Sequence, residues 1–219
     1  MVVRHPRSAT LSLLSFLRTG ALGPLTRGVT MREVSELLGP PDGWMDGGSE
    51  APVPLLWGYR PFLEIRFESE PPYLLQTIKV PQLAPPDKKY IHIARLRIAT
   101  DGFHDQMRLS DFLRRDIWGD DEIVVGSCAG GNPVVDICTA NTRLVWSMSA
   151  GSEEILARQS EGGLSKAAYM ARRDQLSDGF FGIYSALSPQ LDRVPQDGWE
   201  NFSADQYLAL AAHIETVVK

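Results

Sequence analysis

Residues 20–41 read GALGPLTRGVTMREVSELLGPP, and this stretch predicts loop, cap, short helix and stop in that order. Thr30 supplies an N-cap hydroxyl, and Glu33 three positions later completes a capping box, so two backbone donors at the helix start gain acceptors. Val34, Leu37 and Leu38 form one apolar stripe at helical spacing. Gly39 is expected in the left-handed conformation that ends a helix, and Pro40-Pro41 forbid its continuation.

Upstream, Leu13, Leu14, Phe16 and Leu17 form the apolar side of another short helix. The basic residues before it are followed by too short an apolar run for a signal peptide, and Arg18 interrupts that run. No stretch approaches the ~20 apolar residues needed to cross a bilayer, so a cytoplasmic location is expected and a membrane partner is not.

Downstream, a polar loop (DGWMDGGSEAPVP) leads into three segments of strand character, 55–59, 61–69 and 73–81. In the second, Leu63, Ile65 and Phe67 alternate with polar residues, which places them on one face of a half-buried strand. Residues 82–89 (QLAPPDKK) are the expected connection between units, and KYIHIARLRIA (89–99) reads as one long strand with His92 facing outward. A second helix over 109–117 precedes strands at 122–128, 133–140 and 143–150. MREVSELL and MRLSDFLR align if one gap is allowed, which suggests a divergent repeat of a helix-then-meander plan. Residues 153–160 and 164–176 read as helical, and the apolar run FFGIYSAL (180–187) as a helix packed on the sheets. Pro189 and Pro195 mark a loop through to Trp199. Ser203 and Gln206 form a second capping box, opening a helix with Tyr207, Leu210, Ala211, Ile214 and Val218 on one face. The expected architecture is α+β, with units at 1–82 and 89–150 and a helical segment at 151–219.

The net charge of −5 is unevenly spread: residues 1–100 carry 12 basic and 9 acidic groups, residues 101–219 carry 10 and 18. Broad nucleic-acid binding requires a basic face and is not expected, whereas an acidic second half suits a basic protein partner. Cys128 and Cys138 fall in one hairpin turning at Gly130-Gly131. With a two-residue turn Cys138 faces Ile123, about 15 Å along the strand from Cys128. That is beyond disulfide reach, so two free thiols are expected.

Chemistry-bearing patterns are sparse. Gly126-Ser-Cys-Ala-Gly130 has the form of a nucleophile elbow, but that motif needs a helix after the nucleophile, and a strand follows here. His5, His92, His104 and His213 are isolated from further metal ligands, and His104 with Asp101 and Asp105 reads as a polar loop. Asp120, Asp121 and Glu122 lack the spacing of a calcium loop. No P-loop or dinucleotide fingerprint occurs, so neither a metal nor a cofactor is expected. An enzyme would have to assemble its site around Cys128, His104 and Asp136. The residues best suited to a protein interface are Trp44, Trp57, Tyr59, Phe103, Trp118 and Trp199, because aromatic rings bury large area at little entropic loss. The acidic run Asp120-Asp121-Glu122 joins them as a recognition feature.

Over residues 25–41, Gly28, Thr30, Glu33, Val34, Leu37, Leu38, Gly39 and Pro41 follow a pattern that resembles the SmpA/BamE-type domain. The resemblance implies two short helices and a three-stranded antiparallel sheet through about Val80. The chain lacks the lipid-bearing cysteine of that family and has a long additional half, so the outer-membrane-assembly role is not implied. Residues 15–42 also look like small cytoplasmic bacterial proteins that resemble the immunity proteins found beside secreted toxins. That resemblance implies a non-catalytic protein whose partner is a basic toxin domain; a structural or regulatory scaffold is the neighbouring alternative.

Overall fold

The computed structural model describes residues 10–46, 52–119, 123–128, 134–147, 174, 179–185 and 199–212. Its elements are helices and mainly antiparallel strands, an α+β protein. The chain divides into two compact units between Asp105 and Gln106, not at the 82–89 connection.

In the first unit, strand β1 (Thr10–Ser12) runs into helix α1 (Leu13–Thr19). Ser12 caps α1 by accepting the Ser15 N–H at 3.0 Å. Asp101 adds a cap from far along the chain, accepting the Leu14 N–H at 2.9 Å and the Ser12 hydroxyl at 2.7 Å. Leu13, Phe16 and Leu17 are buried, as the apolar stripe predicts. The following loop is pinned by Leu22 and Leu25, which bridge one another and are fully buried. Gly23 between them has φ +61°, and a Cβ there would collide with Leu11, so this turn requires glycine.

Helix α2 (Met31–Leu38) has the predicted capping box. Thr30 Oγ1 accepts the Glu33 N–H at 3.2 Å, and Glu33 Oε2 accepts the Thr30 N–H at 2.8 Å. Gly39 ends the helix with φ +85° and ψ −171°, a glycine region but not the left-handed helical one expected. Just before α2, the backbone runs beside residues 73–75: Met31 N–H donates to Tyr73 at 3.0 Å and Leu75 N–H to Val29 at 2.6 Å. This pairing sets α2 against the sheet.

That sheet is an antiparallel meander of β2 (Gly43–Met45), β3 (Leu56–Tyr59), β4 (Leu63–Phe67) and β5 (Leu75–Val80). Leu63, Ile65 and Phe67 all point into the core at 1% exposure or less. Full burial of each such side chain contributes on the order of 2 kcal/mol. Residues 89–99 form two strands rather than one, β6 (Tyr90–Ile93) and β7 (Leu96–Ala99), paired antiparallel. The buried positions Ile91, Ile93, Leu96 and Ile98 change parity at Ala94-Arg95, where Ala94 takes φ +49°. Such a break in a period-two pattern marks a turn. β1 pairs parallel to β7 and completes a three-stranded sheet. The hairpin expected to open the second unit therefore belongs to the first.

The second unit opens with helix α3 (Leu109–Leu113), followed by β8 (Ile123–Cys128), β9 (Val134–Thr139), β10 (Thr142–Ser147) and β11 (Gly179–Ser185), each antiparallel to the last. Each unit thus runs from a helix into a four-stranded meander. Residues 180–185 are strand and not the expected helix: a short apolar run fits either state by periodicity, and pairing with β10 decides it. Strand β12 (Trp199–Phe202) extends the sheet beside β8, beginning at the residue where the expected loop was to end. Ser203 and Gln206 form their capping box, at 3.2 Å and 3.0 Å, and open helix α4 (Ala204–Ala212). The core holds Phe112, Ile137, Leu144, Trp146 and Ile183. Trp146 stands edge-on to Phe112 and Phe180, with centroids at 5.3 Å and 5.5 Å. The segments expected as helices at 153–160 and 164–176 lie outside the described residues, apart from Asp174.

The cysteine hairpin forms, with its register shifted: Cys138 stands opposite Val124, and Cys128 opposite Val134. Four residues of strand, about 13 Å, separate Cys128 from that position. Cys138 forms no disulfide among the described residues.

Candidate partner-binding surface

Four backbone and side-chain ties build the outer end of the first unit's meander. The Asp42 N–H donates to the Gly58 carbonyl at 2.9 Å, and the Asp42 carboxylate accepts the Arg60 N–H at 2.9 Å. The Tyr59 hydroxyl donates to the Gly39 carbonyl at 2.9 Å, fixing the end of α2 to β3. Trp57 donates its indole N–H to Pro54 at 3.0 Å and meets Phe67 edge-on at 4.9 Å. Burial, with the Asp42 carboxylate nearby, pushes the Tyr59 hydroxyl up to about 12.

This scaffold presents β2 as the outermost strand among the described residues. Trp44 stands opposite Trp57 in the ladder and is 64% exposed; Met45 is 61% exposed. Beside them lies a groove of about 220 Å³ lined by Trp44, Met45, Leu56, Arg60, Glu64 and Pro81, among others. Lys79 pairs with Glu64 at 3.2 Å, and Arg60 adds a second cationic side chain at the groove. An exposed edge strand carrying large apolar side chains is a template for another chain.

The residues singled out in sequence separate into three groups. Trp44 and half-buried Trp57 share this end of the sheet. Tyr59, Phe103 and Trp118 are buried, at 1%, 2% and 8% exposure. Their rings contribute to the interior of the protein. Asp120, Asp121 and Glu122 lie outside the described residues. Trp199 of β12 pairs through its backbone with Cys128 of β8, and its side chain lies outside them. Met45 and Arg60 escaped sequence reasoning. Met45 had a usable signal, an apolar residue isolated in a polar loop, but Arg60 reaches the groove only through the β3–β4 turn.

The residues of the enzymatic alternative fall in both units. His104 belongs to the first unit and Cys128 and Asp136 to the second. Asp136 is 1% exposed on β9 and takes two hydrogen bonds from Arg143 on β10, at 2.8 Å and 2.6 Å. Burial pushes its carboxyl above the ordinary range, and the Arg143 guanidinium opposes that shift. Among the described residues no three His, Cys, Asp or Glu side chains converge as metal ligands, and no helix is long and apolar enough to cross a membrane.

Compared with protein-family models, characterised proteins and solved structures, the chain matches none.

Proposed function

We propose that this chain is a non-catalytic protein-binding protein, most concretely a cytoplasmic immunity protein that neutralises a cognate bacterial toxin by binding over it. The observation that carries the reading is the exposed Trp44-Met45 pair on an outermost strand. Exposing two large apolar side chains beside a groove is unfavourable unless a partner covers them. The resemblance of residues 15–42 to immunity-type proteins supports a toxin domain as that partner, and the acidic second half would add long-range attraction for a basic one. Asp136, the acid of the enzymatic alternative, has its Oδ2 paired with Arg143.

The test is an affinity pull-down of the tagged chain co-expressed with its gene neighbours. One stoichiometric partner, toxic when expressed alone, is expected. Trp44→Ala should weaken its capture about tenfold or more. Recovery of the chain alone would overturn the reading.

A further inference from the structure

The outer face of the β1–β7–β6 sheet differs from the rest of this acidic protein. Residues 88–100, KKYIHIARLRIAT, contain Lys88, Lys89, Arg95, Arg97 and His92 and no acid. Strand alternation buries Ile91, Ile93, Leu96 and Ile98 and turns Tyr90, His92 and Arg97 outward. Tyr90 is 43% exposed. The Arg97 guanidinium lies over its ring, 4.5 Å from the centroid. It is held there by Thr10 of β1, whose hydroxyl accepts from Nε at 3.1 Å and from Nη2 at 2.7 Å.

Three planar side chains therefore share one open sheet face. His92 stands directly opposite Arg97, and Tyr90 opposite Ala99, whose methyl adds little bulk. Lys89 and Arg95 flank the hairpin at its two ends, both exposed. Asp87 neutralises Lys88 at 3.4 Å, and Arg95 Nη1 donates to the Glu36 carbonyl at 3.5 Å, so Lys89, Arg97 and the remaining donors of Arg95 are the cationic groups facing a ligand.

We propose that this face binds single-stranded nucleic acid. Bases stack on aromatic rings and on guanidinium planes, and flanking cations take the phosphates. An acidic peptide would need only the cations and would make no use of the planar surfaces that Thr10 and Ala99 leave presented. The charge balance of the whole chain argues against a broad basic surface, but a short strand needs only a local one. This inference is independent of the toxin-binding reading, which concerns β2.

The test is fluorescence anisotropy with a labelled oligouridylate. The wild-type chain should bind, and Tyr90→Ala should weaken binding about tenfold, the loss of one stacked base. Tyr90→Phe should retain it. Raising salt from about 50 to about 200 mM should weaken binding roughly 20-fold if three phosphates are neutralised. Lys89→Glu, at an exposed site that does not threaten the fold, should weaken binding as well, and Trp44→Ala should not. No binding at low salt would overturn the proposal. So would equal binding by Tyr90→Ala, or displacement of the oligonucleotide by an equal concentration of polyglutamate, which would assign the face to acidic proteins.

Discussion

The Asp174 carboxylate accepts the Ser110 backbone N–H at 3.0 Å and the Ser110 hydroxyl at 2.5 Å, so a residue 64 positions downstream caps helix α3. The N-cap position itself is Arg108 and supplies no side-chain acceptor. Asp174 also accepts the Tyr207 hydroxyl of α4 at 3.1 Å, and one buried acid thus ties two helices together. Asp174→Ala would leave buried donors unsatisfied and should lower stability by about 3 kcal/mol in urea unfolding. Tyr207→Phe should lower it by about 1 kcal/mol. In a double-mutant cycle the two losses should be less than additive.

The capping box of α2 makes a prediction about acid. Hydrogen bonds from the Thr30 N–H and hydroxyl hold the Glu33 carboxyl below its ordinary value of 4.5. A depressed folded value means stability present above the unfolded value and lost as pH falls through the folded one. Thr30→Ala should be destabilised by about 1 kcal/mol near neutral pH. Below the folded value of Glu33 the gap should narrow. A gap that stays constant down to strong acid would count against the bond from the Thr30 hydroxyl to the Glu33 carboxylate.

Tyr59 makes the complementary prediction in base. Its hydroxyl titrates at about 12 against an ordinary 10.0. Because the folded state holds this proton more tightly, stability is fully present below pH 10 and declines as pH rises towards 12. Tyr59→Phe should lose about 1 kcal/mol at neutral pH, the bond to Gly39. It should also show a weaker decline across that alkaline window, measured by denaturant midpoints at successive pH values.

Asp136 carries the opposite sign from Glu33, although both are carboxylic acids. Burial raises its folded value above 3.8, against the pull of Arg143. Stability from this group is therefore greatest below 3.8 and falls as pH rises. Arg143→Ala removes the compensating charge and should destabilise the protein by roughly 3 kcal/mol at neutral pH. The loss should shrink steadily towards pH 3 as the acid is protonated. Asp136→Asn in the same background should restore stability at neutral pH.

Several elements were legible because their causes are local. The Thr30–Glu33 and Ser203–Gln206 boxes each need only four consecutive residues. The alternation of Leu63, Ile65 and Phe67 needs only a core on one side, and the inward face it predicts is the one observed. The hairpin within 89–99 was also legible in principle, since the buried isoleucines and Leu96 change parity at Ala94-Arg95.

What the sequence by itself determined, then, is the set of short-range elements: caps, stops, most strands and the α+β class. Tertiary structure alone decided the rest. Residues 180–185 became a strand because β10 offered unpaired backbone groups, a fact no window of eight residues contains. β1 found β7, and β12 found β8, across separations at which local propensity has no influence. The surfaces were decided the same way. Trp44 and Tyr59 are both aromatics of the same meander, yet one stands on an outermost strand in solvent and the other donates to Gly39 inside the core. Burial depends on which chains pass nearby in space, and aromatic character alone does not specify it.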